Sequence, residues 1–221
     1  MATRSPKPAP PRISVLTLPE LTDADGAGIR AGGHHEALRY TDTDLGDSNL
    51  TAANFVECEF LGLETGEAQL QAARFSECRL DRLTAPNFSA ARSGWNDVHI
   101  TASRLGAVEL FDSDLHSVHI ADSKLMFVNL RSARLRDVTF SGCAIDELDL
   151  TDADADRVSF HDCTVQTLRL DHARLKNTDL RGLGLSAIGG MDSMRGTVIS
   201  TSQAIDLASS FARHLGVAVV D

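Results

Sequence analysis

Large apolar residues recur at every fifth position along most of the chain, with polar and charged residues between them. In the stretch ADSKLMFVNLRSARLRDVTF, residues 121–140, these positions are Leu125, Leu130, Leu135 and Phe140, and the residue two before each is small or medium-sized. A helix repeats its buried face every 3.6 residues and a strand every two, so a period of five fits neither. We call each fifth residue a centre. The pattern predicts a backbone that turns a corner every five residues.

The register of these centres holds without a slip from Tyr40 to Leu185. Where a centre is undersized, as at Thr65, Ala85 and Ala90, the residue two before it is a leucine or a phenylalanine. Volume lost at one position is thus restored at its neighbour, as close packing requires, so both positions should point inward. Similar residues also recur every 20 positions. Four five-residue units therefore make one coil, and equivalent residues should stack about 4.8 Å apart.

The segments TDTDLGDSNLTAANF and ADSKLMFVNLRSARL resemble the pentapeptide-repeat family, whose units read roughly A-(D/N)-L-x-x. Asp44–Leu45, Asn49–Leu50, Asn54–Phe55 and Asp114–Leu115 match this unit closely. The resemblance covers about two-thirds of the chain. It implies an all-β fold, a right-handed quadrilateral β-helix with a solid core, here a rod of about seven and a half coils and roughly 36 Å.

Four segments follow from this interpretation. Residues 1–12 are a proline-rich tail that we expect to be disordered, and residues 13–36 are an N-terminal cap in which ISVLTL is a candidate strand on the first coil. Residues 37–186 form the β-helix. Residues 187–221 form a C-terminal α-helical cap, because a solenoid leaves open ends that need covering.

The C-terminal cap carries clear helix signals. Ser200 and Gln203 have the spacing of a capping box, and Gly216 follows as a C-cap. Leu207, Phe211 and Leu215 share one helical face. This face should either seal the last coil or join two copies of the chain in a homodimer, as C-terminal elements often do in the family.

The charge of the chain lies on the predicted rod. The net charge is −10, and residues 36–185 contain 25 acidic and 15 basic residues, which accounts for all of it. This balance argues against direct binding of nucleic acid and favours a basic protein partner. No apolar run approaches the roughly 20 residues of a membrane span. The N-terminus lacks the apolar stretch of a secretory signal, and four cysteines in that context favour the reducing cytoplasm.

The sequence offers no catalytic, cofactor or metal motif. We find no phosphate loop, dinucleotide fingerprint or nucleophile elbow, so we expect no enzyme and no cofactor. The cysteines fall into two pairs more than three coils apart, too distant for one zinc ion, and are interpreted as core thiols. His99 and His119 stack on one outward face without an evident third ligand. We therefore expect no metal site.

Two surfaces are candidates for binding a protein partner. Glu57, Glu77, Asp97 and Asp137 recur at one corner of the coils. The resemblance implies a function for such a surface, because several bacterial family members mimic DNA, bind DNA gyrase and protect it from quinolones. No insertion breaks the register, which favours the type without projecting loops. The alternative is a scaffolding rod with an unknown partner, which would use the apolar residues Phe111, Met126 and Phe127 at positions outside the core.

Overall fold

The computed structural model describes residues 7–220 and shows a right-handed, four-sided solenoid of parallel strands. Strands pair with strands one coil away at an offset of 20 residues, as where Leu115 pairs with Leu135 and Val118 with Val138. The predicted fold class and the period of 20 are therefore confirmed.

The strands are short and follow one another around the rod. In chain order they are β1 (Thr22–Ala24), β2 (His34–Glu36), β3 (Leu38–Thr41), β4 (Asn54–Val56), β5 (Glu59–Leu61), β6 (Arg74–Ser76), β7 (Arg79–Asp81), β8 (Thr84–Ser89), β9 (Gly94–Thr101), β10 (Arg104–Glu109), β11 (Asp114–Ala121), β12 (Lys124–Asn129), β13 (Arg134–Ser141), β14 (Ala144–Asp149), β15 (Asp154–His161), β16 (Cys163–Arg169), β17 (Arg174–Asp179), β18 (Leu183–Gly189) and β19 (Thr197–Val198). Within residues 7–220, the even-numbered strands from β8 to β18 form a six-stranded sheet and the others a 13-stranded sheet.

The core consists of the predicted inward positions. Every centre from Tyr40 to Leu180 is buried, and only the last, Leu185, is half-buried. Aromatic rings stack along the N-terminal half, where the centroids of Phe55 and Phe75 lie 5.0 Å apart and those of Phe75 and Trp95 lie 4.3 Å apart. The one-coil spacing brings equivalent rings to stacking distance.

Most corners of the coil use the left-handed backbone conformation without glycine. Among residues 7–220, twenty non-glycine residues have φ between 46° and 59°, and all of them except Ala37, which precedes the first centre, lie two positions after a centre. This conformation costs an L-residue roughly 1–2 kcal/mol. Pairing with the next coil offsets the cost, as where the N–H of Glu57 donates to the Ser76 carbonyl at 2.9 Å and that of Ser132 to the Thr151 carbonyl at 2.9 Å.

Parallel pairing extends beyond residues 37–186 at both ends. Thr22 of β1 pairs with Leu38, and Thr197 of β19 pairs with Thr178, so the first and last coils are shorter than 20 residues. ISVLTL, residues 13–18, does not form the candidate strand. Instead, residues 7–14 lie along the outside of the rod. Residues 1–6 of the predicted tail lie outside the described part of the chain.

The C-terminal segment closes the last coil. It contains the helices α1 (Thr201–Asp206) and α2 (Ala208–His214). The predicted capping box is confirmed, since the Gln203 N–H donates to the Ser200 hydroxyl at 3.1 Å and the Ser200 N–H to the Gln203 side chain at 2.7 Å. Gly216 has φ +73°, as the predicted C-cap requires.

The buried Gln203 side chain connects α1 to the solenoid. Its amide nitrogen donates to the carbonyls of Leu180 and Leu183, each at 2.6 Å. These carbonyls belong to the last coil, which has no further coil to pair with. None of the helices within residues 7–220 combines the length and apolar character that a bilayer span requires.

Candidate partner-binding surfaces

One corner of the 13-stranded sheet carries the predicted acidic residues. We call the residues that stack there the corner ladder: Glu57, Glu77, Asp97, Ser117, Asp137, Arg157 and Asn177. All seven have positive φ. Side chains from successive coils therefore leave the backbone in the same direction, about 4.8 Å apart. The stacking that the sequence predicts for the four acidic residues is present.

The four carboxylates differ in accessibility. Glu77 is exposed and Glu57 is half-buried, and no ion pair is described for either within residues 7–220. Asp97 is half-buried, whereas only 3% of Asp137 is exposed. Asp137 is therefore not accessible on the predicted binding surface. Neighbours far away in the sequence cover it.

Asp137 forms a bidentate ion pair with Arg157, the next residue of the corner ladder. Arg157 Nε and Nη2 lie 2.6 Å from the two carboxylate oxygens. The Arg12 N–H also donates to this carboxylate at 2.8 Å. The hydrogen bonds from Arg157 lower the pKa of Asp137, and burial opposes this only in part. Asp137 is thus a buried anion with three described donors.

Residues 7–14, which we call the strap, run along the corner ladder from the C-terminal coils towards the N-terminal coils. The Ala9 N–H donates to Asn177 Oδ1 at 3.2 Å, and the Ser14 N–H donates to Ser117 Oγ at 3.0 Å. Together with the bond from Arg12 to Asp137, these contacts connect the strap to three coils. The segment expected to be a free tail therefore lies on the predicted binding surface from residue 7 onward.

Asp97 and His99 lie beside the end of the strap. Burial alone would raise the pKa of Asp97, but the nearby hydroxyls of Ser14 and Ser117 lower it below its usual value. Burial also lowers the pKa of His99, so its imidazole favours the neutral form. Asp97 Oδ1 and His99 Nε2 are buried and have no hydrogen-bond partner within residues 7–220.

A second acidic surface was missed by the sequence analysis. Asp44 and Glu64 pair in register in adjacent coils, and Asp47 and Glu67 follow three residues later. All four are exposed, and we call them the acidic quartet. The sequence signal was available, since residues 40–73 contain seven acidic residues and no lysine or arginine. Of these seven, Glu59 is buried between Arg39 and Arg79.

The apolar candidates do not form one cluster. Phe127 lies on β12 in register with Ala107 and Glu147, whereas Phe111 lies in a corner, at the coil position of Arg131. Both phenylalanines are half-buried, and Met126 is 57% exposed. Met126 lines a shallow, almost wholly apolar cavity of about 290 Å³ whose other lining residues include Pro86, Leu105 and Gly106.

The repeated part of the chain matches a known protein family. Residues 110–164 match the family described as "Pentapeptide repeats", in eight copies. The chain carries pentapeptide repeats of this family. Among curated proteins, no sequence matches it.

Several solved structures are similar to this pentapeptide-repeat protein. QnrB1, a plasmid-mediated fluoroquinolone resistance protein, is 17% identical in its full-length form, covering 88% of this chain and 95% of that chain with a TM-score of 0.42. A trypsin-treated variant of QnrB1 is 18% identical and covers 90% and 95%, with a TM-score of 0.43. HetL from the cyanobacterium Nostoc, a pentapeptide repeat protein involved in heterocyst differentiation regulation, is 17% identical and covers 78% and 92%, with a TM-score of 0.29.

The C-terminal end of the pentapeptide-repeat rod exposes apolar side chains. Leu207 is buried and Phe211 half-buried, but Leu215 is 76% exposed. Ile205 and Val217 are also exposed. Of the three residues predicted for capping or dimerisation, Leu207 thus packs inward, while Leu215 is exposed.

The cysteines are core residues of the pentapeptide-repeat coil, as predicted. All four are buried and unpaired, and the Cys143 N–H lies 3.4 Å from Cys163 Sγ in the adjacent coil. Burial raises the pKa of Cys78, which keeps its thiol neutral. Within residues 7–220, no group of three or more histidine, cysteine or acidic side chains is arranged to hold a metal ion.

Proposed function

We propose that this pentapeptide-repeat protein is a non-enzymatic, cytoplasmic rod that presents carboxylates to the DNA-binding surface of a protein partner. DNA gyrase is the partner we propose, because bacterial members of the family with this shape bind it as DNA mimics. Protection of gyrase from quinolones would follow from that binding.

The proposal rests on the density of negative charge in the first coils. Residues 40–73 occupy about 8 Å of rod at the spacing of stacked coils. Glu59 is paired with Arg39 and Arg79, and Asp42 lies 4.0 Å from Arg82. Five carboxylates without a described ion pair therefore remain there, roughly one per 1.6 Å. B-DNA carries one charge per about 1.7 Å. The whole rod, with a net charge of −10 over roughly 36 Å, is much less dense. DNA-like charge is therefore concentrated at the N-terminal coils.

The test compares two variants with equal changes in charge. One replaces the acidic quartet, as Asp44→Asn, Asp47→Asn, Glu64→Gln and Glu67→Gln. The control replaces four exposed carboxylates of other coils: Asp112→Asn, Asp122→Asn, Asp152→Asn and Asp162→Asn. We expect the wild type and the control to inhibit gyrase supercoiling, more strongly at low salt. The quartet variant should lose at least tenfold in potency. Equal potency of both variants, or normal supercoiling with excess wild type, would contradict the proposal.

The accessible part of the corner ladder belongs to the same proposal. Glu57 and Glu77 can meet a basic surface directly, whereas the strap covers Asp97 and Asp137. We therefore assign the first two carboxylates to the initial encounter. Exchanging Glu57 and Glu77 for lysine should weaken gyrase binding without unfolding the rod.

A scaffolding role is the second candidate, and the exposed apolar surface around Met126 favours it. The cavity there presents almost no polar surface. Under this alternative, Met126→Ser with Phe127→Ser should abolish capture of the partner, and the quartet variant should bind normally. The opposite result would support the gyrase proposal.

We also propose that two copies of the rod associate through the C-terminal end. Exposed Ile205, Leu215 and Val217 support this contact, because monomers seldom cluster exposed apolar side chains without a binding role. The buried Leu207 then has the separate role of sealing the last coil.

A further inference from the structure

The strap is bound mainly through its backbone. All three of its described anchors are main-chain N–H groups: Ala9, Arg12 and Ser14 donate to side-chain oxygens of Asn177, Asp137 and Ser117 respectively. The acceptors belong to the corner ladder, in which Arg157 separates Asp137 from Asn177. We call Asp97, Ser117, Asp137 and Asn177 the track. Every residue except proline has a main-chain N–H, so the track can bind extended segments of varied sequence.

The sequence of the strap suits this mode of binding. Pro8, Pro10 and Pro11 have no N–H, and the three described donors lie at positions between and after them. Proline also restricts the free segment to extended conformations, which lowers the entropy that docking removes. The strap carries Lys7 and Arg12 and lies over carboxylates of the track. It is therefore an extended, proline-containing ligand whose described hydrogen bonds to the track all come from the main chain.

The strap is seated in a way that permits exchange. None of its residues is fully buried, and only Pro8, Pro11 and Ile13 are half-buried. A cavity of about 490 Å³ lies between residues 7–11 of the strap and the last coils, lined there by His161 and Asp179 among others. The seated segment leaves this space unfilled.

Two polar atoms beside the strap lack partners. Asp97 Oδ1 and His99 Nε2 are buried there without a hydrogen bond from any described residue. Leaving a buried polar atom unpaired is unfavourable, so a segment that supplied these bonds would bind better than the strap does. Hydrogen-bonding capacity therefore remains beside the Ser14 end of the strap, where the Ser14 hydroxyl lies near Asp97 without completing a bond to Oδ1.

We propose that the track is a docking site for an extended, proline-containing segment of a partner protein, and that the strap occupies it until such a segment displaces it. The seated strap defines the chemistry of this ligand. The inference goes beyond the proposed function, because it concerns a peptide segment and holds whether or not gyrase is the partner.

The experiment uses the full-length protein and a fluorescent peptide with the sequence KPAPPRISVL, residues 7–16, measured by fluorescence anisotropy. In the protein, Arg12→Pro removes the main-chain N–H that donates to the Asp137 carboxylate. Arg12→Ala keeps the N–H and removes the charge, and Val15→Pro adds a proline at a residue that is 90% exposed. A tethered strap competes at an effective concentration near the millimolar range. We therefore expect Arg12→Pro to bind the peptide at least tenfold more tightly than the wild type, and both controls to stay within threefold of it.

Two further measurements make the outcome decisive. The amides of Ala9 and Ser14 should exchange with deuterium faster in the Arg12→Pro protein than in the wild type. A peptide with scrambled order, and a peptide carrying Arg12→Pro, should each bind the Arg12→Pro protein at least tenfold more weakly than the native peptide. Unchanged exchange, equal affinity of all protein variants, or equal binding of the scrambled peptide would overturn the proposal. None of these readouts involves gyrase.

Discussion

Replacing Arg157 with methionine should destabilise the rod strongly at neutral pH. In the native protein, Arg157 makes two 2.6 Å hydrogen bonds to Asp137, a carboxylate that is only 3% exposed. Removing one partner of a buried ion pair leaves an uncompensated charge and costs about 3–5 kcal/mol. For a domain of this size, each kcal/mol lowers Tm by about 2–4 °C, so the expected loss is about 6–20 °C.

The pH dependence gives this prediction a second readout. The folded protein holds the pKa of Asp137 below its ordinary value, mainly through Arg157. The stabilisation is therefore present above the ordinary carboxyl pKa and is lost as pH falls towards the lower, folded value. In the Arg157→Met variant this contribution is missing. The difference in unfolding free energy between wild type and variant should accordingly be largest near neutral pH and shrink below about pH 4.

Urea denaturation followed by circular dichroism, at pH 7 and at acidic pH, measures both effects. The double variant Asp137→Asn with Arg157→Met is the control, because it removes the unpaired charge while asparagine tolerates the left-handed backbone at this corner. It should recover part of the stability that Arg157→Met loses. A loss below about 1 kcal/mol at pH 7 would place the pair among exposed ion pairs and refute the reasoning.

Three other predictions test separate parts of the structure. Leu130→Asp should unfold the rod because it buries an unpaired charge at a centre, whereas Arg134→Gln on the exposed face should change Tm little. Burial lowers the pKa of His119, so the contribution of this residue to folding stability is present above about pH 6.5 and is lost as the pH falls. In thermal melts, the drop in Tm between pH 7.5 and pH 5 should therefore be smaller for His119→Gln than for wild type. Leu215→Ser should convert a dimer to a monomer in light scattering, and an unchanged mass would contradict the proposed contact.

The sequence was sufficient to predict the core and the coil. A centre such as Leu130 is buried because a side chain at every fifth position meets its equivalents one coil away, and this depends only on spacing. The capping box of Ser200 and Gln203 was predictable for the same reason, since its two members are three residues apart. Features set by local spacing are visible in one sequence.

The exposure of each residue in the corner ladder could not be predicted from local spacing. Glu77 and Asp137 occupy equivalent positions and carry the same charge, yet one is exposed and the other is buried. The difference arises from Arg157 in the next coil and from Arg12, which is 125 residues away in the chain. The strap itself binds through main-chain N–H groups, which leave no mark on side-chain composition. Its prolines therefore resemble those of a free tail.

The distribution of ion pairs explains why the two ends of the rod should differ in function. Towards the C-terminal end, basic residues face the acidic ones, as where Arg169 pairs with Glu147 and Arg174 with Asp154. Such carboxylates are already neutralised and offer little to a basic partner. The acidic quartet has no described ion pair within residues 7–220 and lies away from the strap contacts at Asn177, Asp137 and Ser117. A basic protein surface should therefore approach the acidic quartet in the N-terminal coils first and reach Asp97 only after the strap has left.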